Sequence, residues 1–230
     1  MTAVEVQPGV WLHPTGALWL PDCGAALVAD LHLGYAWALR RRGQLGPLVG
    51  GGVDERLQVM LEELQPKHLI LLGDLVHAPR PSAEERAVVE ARLAAIRQQT
   101  EVLLVKGNHD RGFERDFAHL GLEVATEWRA PGWRAVHGDN PVTPTPGERL
   151  AVGHFHPAIG LRDAAGARRR TPAALIYPRL IALPAFSPLA AGVDVRRALP
   201  PELQALTGGA RGVVYAVTGS HVVRVAEIGR

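Results

Sequence analysis

The amino-acid sequence predicts an α/β fold (α+β in some classifications), with two packed mixed β-sheets flanked by helices. Three observations lead to this prediction. Short apolar runs bounded by Gly or Pro are typical of buried strands. Strands and helices alternate up to residue 105, which favours right-handed crossovers and a largely parallel sheet. After residue 120, short strands follow one another with Pro, Gly and Thr between them, which predicts hairpins and a second sheet.

The first half of the chain carries the signals of strands and of helices in alternation. The strands are predicted at residues 10–13, 17–20, 25–29, 69–72 and 102–105. The helices are predicted over residues 35–42, 54–64 and 82–98. Ser82 and Glu85 form a capping box at the start of the last helix. The glycine-rich segment 43–52 lacks the Lys-Ser/Thr of a P-loop and is predicted as an ordinary loop.

The second half is predicted to consist mainly of strands. They lie at residues 133–136, 150–152, 174–177, 180–183, 213–217 and 222–225. A tight turn, 218–220, joins the last two. The segment 140–147, with three prolines, indicates a loop and not a domain linker. We therefore expect a single domain over residues 1–230, with the hairpin 211–226 as an extension.

The composition is that of a globular protein in a reducing compartment. A chain of 230 residues with 47% hydrophobic and 21% charged residues can bury one sizeable core. The single cysteine, Cys23, has no internal disulfide partner. The chain shows no signal-peptide pattern and no apolar run near the ~20 residues that span a bilayer. We expect a cytoplasmic protein that does not enter the membrane.

Each of five apolar runs leads into a cluster of metal-binding residue types. The clusters are Asp30-Leu31-His32, Gly73-Asp74, Gly107-Asn108-His109-Asp110, His137-Gly138 and Gly153-His154-Phe155-His156. Ligands in open α/β sheets bind beyond the carboxyl ends of the strands, so we expect these side chains to converge. Oxygen and imidazole ligands together suit manganese, iron or zinc. Each cluster alone is common by chance. All five in this order, each after an apolar run, are strong evidence for a metal site.

The residue types suit a two-metal phosphoryl-transfer site. Two divalent ions ~3.5–4 Å apart can clamp the attacking and leaving oxygens of an in-line displacement. Asp74, alone after Gly73 at a strand end, suits a bridging carboxylate. Asp30 and His32 lie two residues apart, so in extended backbone they project the same way and can share an ion.

The remaining candidate ligands complete the set on either side. His154 and His156 are also two residues apart, but in a turn they can diverge to separate ions. Asn108 offers a neutral amide oxygen and His137 an imidazole. Lys106 and Arg111, which flank the Asn108-His109 pair, could contact phosphate or simply be exposed to solvent.

These motifs, which span Asp30 to His156, resemble those of the calcineurin-like metallophosphoesterases. The resemblance implies the four-layer metallophosphoesterase fold and two divalent ions, with manganese expected and iron or zinc as alternatives. It implies a first metal held by Asp30, His32, Asp74 and His156, and a second held by Asp74, Asn108, His137 and His154. His109 would be the catalytic histidine near the leaving group. Asp110 would be catalytic by orienting the His109 ring, or else a turn or cap residue; His77 would lie behind the ligands or face the substrate.

A narrower resemblance also exists. The double-histidine motif Gly153-His154-Phe155-His156 is similar to that of nucleases resembling bacterial SbcD. Together with the Asp30-Leu31-His32-Leu33-Gly34 motif and Leu183-Pro184-Ala185-Phe186, it resembles the ligase-associated DNA damage response endonucleases of the PdeM family, over roughly residues 10–195. The resemblance implies a DNA endonuclease or phosphodiesterase in DNA repair, functionally associated with a DNA ligase and a helicase.

The sequence is also compatible with two other classes of function. The same dinuclear site could serve a small-molecule phosphodiesterase, a nucleotide pyrophosphatase or a phosphomonoesterase, and a decayed site could leave a non-catalytic binding protein. The basic runs 40–42 and 168–170 favour a polyanionic substrate, although each alone could be a solvated face. Trp37, Trp128 and Trp133 could stack bases or pack in the core.

Overall fold

The protein is described here by a computed structural model that covers residues 2–44, 52–162, 166–190 and 192–229. Most of the predicted loop 43–52 lies outside these residues. Within them the chain forms two β-sheets, one of seven strands and one of nine. The α-helices are α1 (Tyr35–Arg41), α2 (Val53–Leu64), α3 (Ala83–Arg97), α4 (Phe113–Phe117) and α5 (Pro201–Leu206).

The first sheet contains its strands in the order in which they occur along the chain. They are β1 (Val4–Gln7), β2 (Val10–Leu12), β3 (Leu18–Leu20), β4 (Ala25–Ala29), β5 (His68–Leu72), β6 (Glu101–Val105) and β7 (Glu123–Ala125). Strands β1 to β4 are antiparallel neighbours, and β4 to β7 run parallel. The carboxyl ends of β4, β5 and β6 therefore lie at one edge of this sheet.

The second sheet has the strand order β14-β11-β12-β13-β10-β9-β8, and β15 and β16 extend it from β12. Its strands are β8 (Trp128–Ala130), β9 (Trp133–Val136), β10 (Arg149–Val152), β11 (Pro157–Arg162), β12 (Arg168–Tyr177), β13 (Leu180–Ala182), β14 (Val193–Asp194), β15 (Gly212–Val217) and β16 (Val222–Ile228). Strands β9, β10 and β13 are parallel, so their carboxyl ends also share an edge.

The two sheets pack face to face, and helices cover the outside of each. Side-chain alternation along β5 shows this, since Leu69 and Leu71 pack in the cluster with the helices while Ile70 and Leu72 pack in the cluster between the sheets. Burying each of these side chains contributes about 1.5–3 kcal/mol. Leu203 of α5 packs on the far side of the second sheet. The order is helices, sheet, sheet, helix, so the predicted four-layer α/β fold is confirmed.

Most predicted elements are present, with some changes at their ends. The helix α3 begins after the Ser82 N-cap, and both hydrogen bonds of the predicted capping box form. The edge strands β1, β7, β8 and β14 were not predicted, and neither was β11. The strand predicted to begin at 174 begins at Arg168, because it pairs with β11 as a hairpin. None of the helices in the described ranges is long and apolar enough to cross a bilayer.

Candidate metal centre

Seven side chains from both sheets meet at the shared edge. The first sheet supplies Asp30 and His32 after β4, Asp74 after β5 and Asn108 after β6. The second sheet supplies His137 directly after β9, and His154 and His156 after β10. Because these strands are parallel within their sheets, residues far apart in sequence are brought to one rim. The predicted ligands therefore lie together.

The side chains form two groups that could each hold an ion. The potential ligand atoms of Asp30, His32 and His156 all lie within 4.8 Å of one another, as do those of Asp74, His137 and His154. A third group that meets the same distance criterion, His32, His77 and His109, shares His32 with the first.

Asp74 lies between the two groups. Its Oδ1 is 3.4 Å from Nε2 of His137, and its Oδ2 is 3.9 Å from Nε2 of His32. The Oδ1 of Asn108 is 3.3 Å from the same His137 nitrogen. Each oxygen of this carboxylate therefore faces an imidazole of a different group, an arrangement that suits a bridging ligand.

The backbone at the candidate ligands is left-handed. Among the described non-glycine residues with positive φ, all but Gln65 are candidate ligands, namely Asp30, His32, Asp74, His154 and His156. The expectation that Asp30 and His32 project from extended backbone was wrong, since their φ angles are 57° and 46°. Such conformations cost about 1–3 kcal/mol each and persist only where the surroundings impose them.

Hydrogen bonds between neighbouring turns impose this conformation. The amide of Asp30 donates to the carbonyl oxygen of Gly73 at 3.1 Å, and the amide of His32 donates to that of Asp74 at 2.9 Å. The amide of His154 donates to Oδ2 of Asp30 at 3.0 Å, which ties the second sheet to the first. The turns that carry Asp30, Asp74 and His154 are therefore joined to one another by hydrogen bonds.

The segment after β13 closes over the Asp30 turn. The amide of Phe186 donates to the carbonyl oxygen of Ala29 at 2.8 Å, and that of Ser187 donates to the carbonyl oxygen of Asp30 at 3.2 Å. Arg56 of α2 donates to the carbonyl oxygens of Phe186 and Thr15, so it fastens this segment to the β2–β3 loop. The Leu183-Pro184-Ala185-Phe186 motif thus supports a ligand turn.

Two glycines leave room for the ligands. A Cβ added to Gly107 would lie 2.4 Å from Oδ1 of Asp74 and 2.5 Å from the Asp74 backbone nitrogen. A Cβ at Gly73 would lie 2.1 Å from Nδ1 of His137. Separations below 3.0 Å cannot be accommodated without displacing these groups. Gly73 is therefore required by the close approach of the second sheet, and Gly107 by the close approach of the Asp74 turn within the first sheet.

The surroundings of the centre shift the pKa values of three candidate ligands. Burial alone raises the pKa of the Asp74 carboxyl, but the hydrogen bond and charge of His137 and the His109 amide hold it well below the ordinary value. Burial opposes protonation of His137, yet its hydrogen bond to Asp74 and the nearby Asp30 raise its pKa to about 9. Burial lowers the pKa of His32 to about 4, which leaves this imidazole neutral near pH 7.

The residues present fit divalent ions. The Oδ1 of Asp30 is buried and accepts no hydrogen bond in the described part of the chain, while Nε2 of His156 lies 3.2 Å from it. A buried carboxylate oxygen without a donor is costly unless a cation compensates it. The Nδ1 of His137 lies 3.0 Å from the carbonyl oxygen of Leu72, so it carries the hydrogen and Nε2 is left for an ion.

His109 lies beside the centre with its ring oriented by a backbone carbonyl. Its Nδ1 is 2.6 Å from the carbonyl oxygen of His77, so Nδ1 donates. The Asp110 carboxylate accepts the amides of Val76 and Gly107 instead, at 3.1 and 3.0 Å. The His77 carbonyl oxygen, and not Asp110 as predicted, therefore orients the His109 ring. Asp110 instead fixes a turn, which was the alternative prediction.

The His77 side chain packs among the rings of the centre. Its ring stacks on Tyr35 with centroids 3.9 Å apart, and its Nδ1 is 3.4 Å from Nδ1 of His32. Burial, with the charges of His109 and Arg42, lowers the pKa of His77 to about 4. In the sequence, only the spacing of three residues from Asp74 indicated that His77 belongs to the site. Nothing indicated that Tyr35 does.

The three tryptophans are placed differently. Trp133 is buried between the sheets, and Trp128 packs against the same cluster. Trp37 is 39% exposed, and the Arg40 guanidinium lies 5.1 Å from its ring centroid. Of the three, Trp37 is the most exposed to solvent.

The chain belongs to the calcineurin-like phosphoesterase family, whose sequence profile matches residues 25–171. The protein is therefore a metal-dependent hydrolase of phosphoesters. Among solved structures it is similar to the Pseudomonas putida nuclease MPE, with 27% identity, a TM-score of 0.72, and coverage of 97% of this chain and 99% of that one.

A phosphoesterase from E. coli, Yfce, shares 15% identity with a TM-score of 0.45, covering 89% of this chain and 98% of that chain. This second similarity is too low to support an argument. No functionally curated protein matches the sequence.

Proposed function

We propose that the protein is a dinuclear metal-dependent phosphodiesterase that cleaves DNA as a repair endonuclease of the PdeM kind. The observation that carries the proposal is the position of Asp74, whose two oxygens lie 3.4 Å from His137 and 3.9 Å from His32 in separate ligand groups. The first ion would be held by Asp30, His32, Asp74 and His156. The second would be held by Asp74, Asn108, His137 and His154.

The bound ions would supply a nucleophilic water and neutralise charge on the reacting phosphate. The protein's own residues do the rest. Asp74 keeps its negative charge inside a buried site, Asp30 adds a second carboxylate, and Asn108 and the histidines add neutral ligands. His109, with Nδ1 held by the His77 carbonyl, can donate a proton from Nε2 to the departing oxygen.

DNA as the substrate has separate support. The Pseudomonas putida protein, 27% identical over almost the whole chain, is a nuclease by its title. The basic run that ends at Arg42 borders the centre, since Arg42 lines the same cleft as His109. The proposal includes manganese as the metal, a cytoplasmic location, and a functional association with a DNA ligase and a helicase.

The test compares the wild-type protein with Asp74→Asn on two substrates, supercoiled plasmid and a small generic phosphodiester, in manganese. We expect the wild type to nick the plasmid and hydrolyse the ester. The variant should lose about a thousandfold in both, because several kcal/mol of charge stabilisation depend on the ions. Repeating the assay with iron and zinc identifies the preferred metal.

The matched control is Asp22→Asn, which alters an exposed carboxylate before β4, at the opposite end of the strand from Asp30. It should behave as the wild type. Circular dichroism and thermal unfolding check that Asp74→Asn stays folded. Unchanged turnover in that variant would refute the metal assignment. Cleavage of the small ester with intact plasmid would leave a small-molecule phosphodiesterase as the function.

A further inference from the structure

A cleft of about 760 Å³ borders the metal centre on the side of His109. His77 and His109 form part of its wall, next to the ligand groups. Five arginines also line it: Arg41, Arg42, Arg80, Arg111 and Arg115. No acidic side chain of the described residues does so. The cleft is therefore strongly cationic and opens directly beside the candidate general acid.

Two of the five arginines are neutralised within the protein. Arg41 pairs with Glu85 at 3.0 Å, and Glu85 is buried where it also caps α3 through Ser82. Arg115 pairs with Asp116 at 2.6 Å. The Arg41 pair joins the end of α1 to the start of α3, and this contact holds the following residue, Arg42, at the cleft. Arg41 and Arg115 therefore line the cleft without adding net charge to it.

The other three arginines have no such partner. Arg42, Arg80 and Arg111 are exposed, and none of them forms an ion pair with another residue in the described ranges. They come from three separate segments, the end of α1, the loop after β5 and the turn after β6. A guanidinium presents a planar set of donors that matches phosphate oxygens. The three together are equipped to bind anionic phosphates.

The cleft on the other side of Asn108 is different. It measures about 380 Å³ and is lined by Lys106 and Arg134, as well as by Arg111 from its edge. Lys106 pairs with Glu114 at 2.6 Å, and Arg134 pairs with Glu127 at 2.7 Å. Lys106 and Arg134 are thus compensated by acidic neighbours, whereas Arg111 is shared with the first cleft, so the excess positive charge is concentrated on the His109 side.

We infer that the cleft of Arg42, Arg80 and Arg111 is a subsite for backbone phosphates on the leaving side of the scissile bond. His109, the candidate donor to the departing oxygen, lines the same cleft, which places the departing chain there. The preferred substrate class is then a polynucleotide with further phosphates beyond the cleaved one. This inference rests on the proposed function and specifies how that site selects its substrate.

The experiment compares a substrate that has one phosphate with a substrate that has many. The first is the dinucleoside monophosphate of thymidine, whose single phosphate is the scissile one. The second is whichever polynucleotide the wild type cleaves faster, plasmid or an oligothymidylate. The triple variant R42Q/R80Q/R111Q should lose about tenfold or more in kcat/KM on the polynucleotide relative to the dinucleoside, since charged hydrogen bonds to phosphate are removed.

Salt dependence gives a second readout. The slope of log kcat/KM against log salt concentration for a single-stranded substrate changes by about 0.7 for each phosphate contact, so the triple variant should flatten it by about 2. The conservative variant R42K/R80K/R111K keeps the charges and should retain most of the slope.

The matched control is K67Q/R97Q/R211Q, which also removes three cations. These residues lie before or beside the amino ends of β5, β6 and β15, at the opposite edge from the metal centre. The control should keep the wild-type ratio between the substrates. An equal loss in the control, or an unchanged ratio in the cleft variant, overturns the subsite.

The two proposals fail in different ways. If the wild-type protein cleaves no polynucleotide, the proposed DNA function fails before the subsite is examined. If the wild type cleaves the polynucleotide and the cleft variant does so with the same substrate ratio and salt slope, the function stands and the subsite is wrong.

Discussion

The metal centre and the adjoining arginine cleft are built in opposite ways. At the centre, ligand residues are buried, backbone φ is positive, and each turn is bonded to the next. In the cleft, Arg42, Arg80 and Arg111 are exposed and come from separate segments. The centre is a cooperative unit in which one change disturbs all ligands. The cleft is a set of independent charges whose contributions we expect to add.

The largest effect within this comparison is expected for His109→Ala, which removes a group that belongs to both regions. General acid catalysis contributes about two to four orders of magnitude, so kcat should fall by roughly that factor. The backbone amide of His109, which alanine keeps, donates a hydrogen bond to Oδ1 of Asp74, and the ring Nδ1 donates to the His77 carbonyl oxygen, so both ions should remain bound. Metal analysis beside steady-state kinetics measures this, and loss of the ions would mean that His109 is a ligand.

Gly107→Ala tests how rigid the centre is. The added Cβ would lie 2.4 Å from Oδ1 of Asp74, so the carboxylate must move and activity should fall by about a hundredfold. Gly121→Ala is the control for backbone strain away from the centre: its φ of 56° disfavours alanine although an added Cβ meets no atom within 4 Å, so it should lower stability and keep activity. Retained activity in Gly107→Ala would show that the Asp74 carboxylate can shift without harming the centre.

Metal affinity should depend on pH through His137. In the metal-free protein its pKa of about 9 keeps the imidazole protonated at pH 7, and an ion must displace this proton. Affinity should therefore rise by about tenfold per pH unit from pH 7 and level off above pH 9. His32, with a pKa of about 4, should release no proton. Calorimetry in buffers of different ionisation enthalpy counts the protons, and a value near zero at pH 7 contradicts the assignment.

The smallest effect is expected for Lys106→Ala. Lys106 lines the compensated cleft and pairs with Glu114, so its removal should change polynucleotide kcat/KM by less than about twofold. The comparison is Arg80→Gln, which removes an uncompensated charge that lines the His109-side cleft and not the cleft of Lys106, and it should have the larger effect. Equal effects of the two substitutions would erase the distinction between the clefts.

The sequence predicted the strands that carry the ligands because these strands are buried on both faces. All residues of β4 and nearly all of β5 are buried, so they appear as continuous apolar runs. The strand β11 was not predicted, since Gly160 and Arg162 interrupt its apolar pattern. The basic run 168–170 lies in the hairpin with β11, where Arg170 pairs with Gly160, and not among the residues that line the cleft.

The candidate site was predictable in its members but not in its conformation. Residue types and order indicated the ligands, while the positive φ of Asp30 and His32 depends on bonds to Gly73 and Asp74, more than forty residues away. Asp110 could not be assigned from sequence, because its partners are backbone amides and not the neighbouring ring. Arg80 and Arg115 were missed because isolated arginines carry no motif.

The bonds from Phe186 and Ser187 to the Asp30 turn have a practical consequence. The family profile ends at residue 171. The Asp30 turn is nevertheless hydrogen-bonded by Ser187, which lies beyond the end of the profile. A fragment cut at the profile boundary would lack β13 and the partner of Arg56, so it would expose apolar sheet and lose its first ligand. We therefore expect that the smallest fragment with activity must extend well past the residues that the family profile matches.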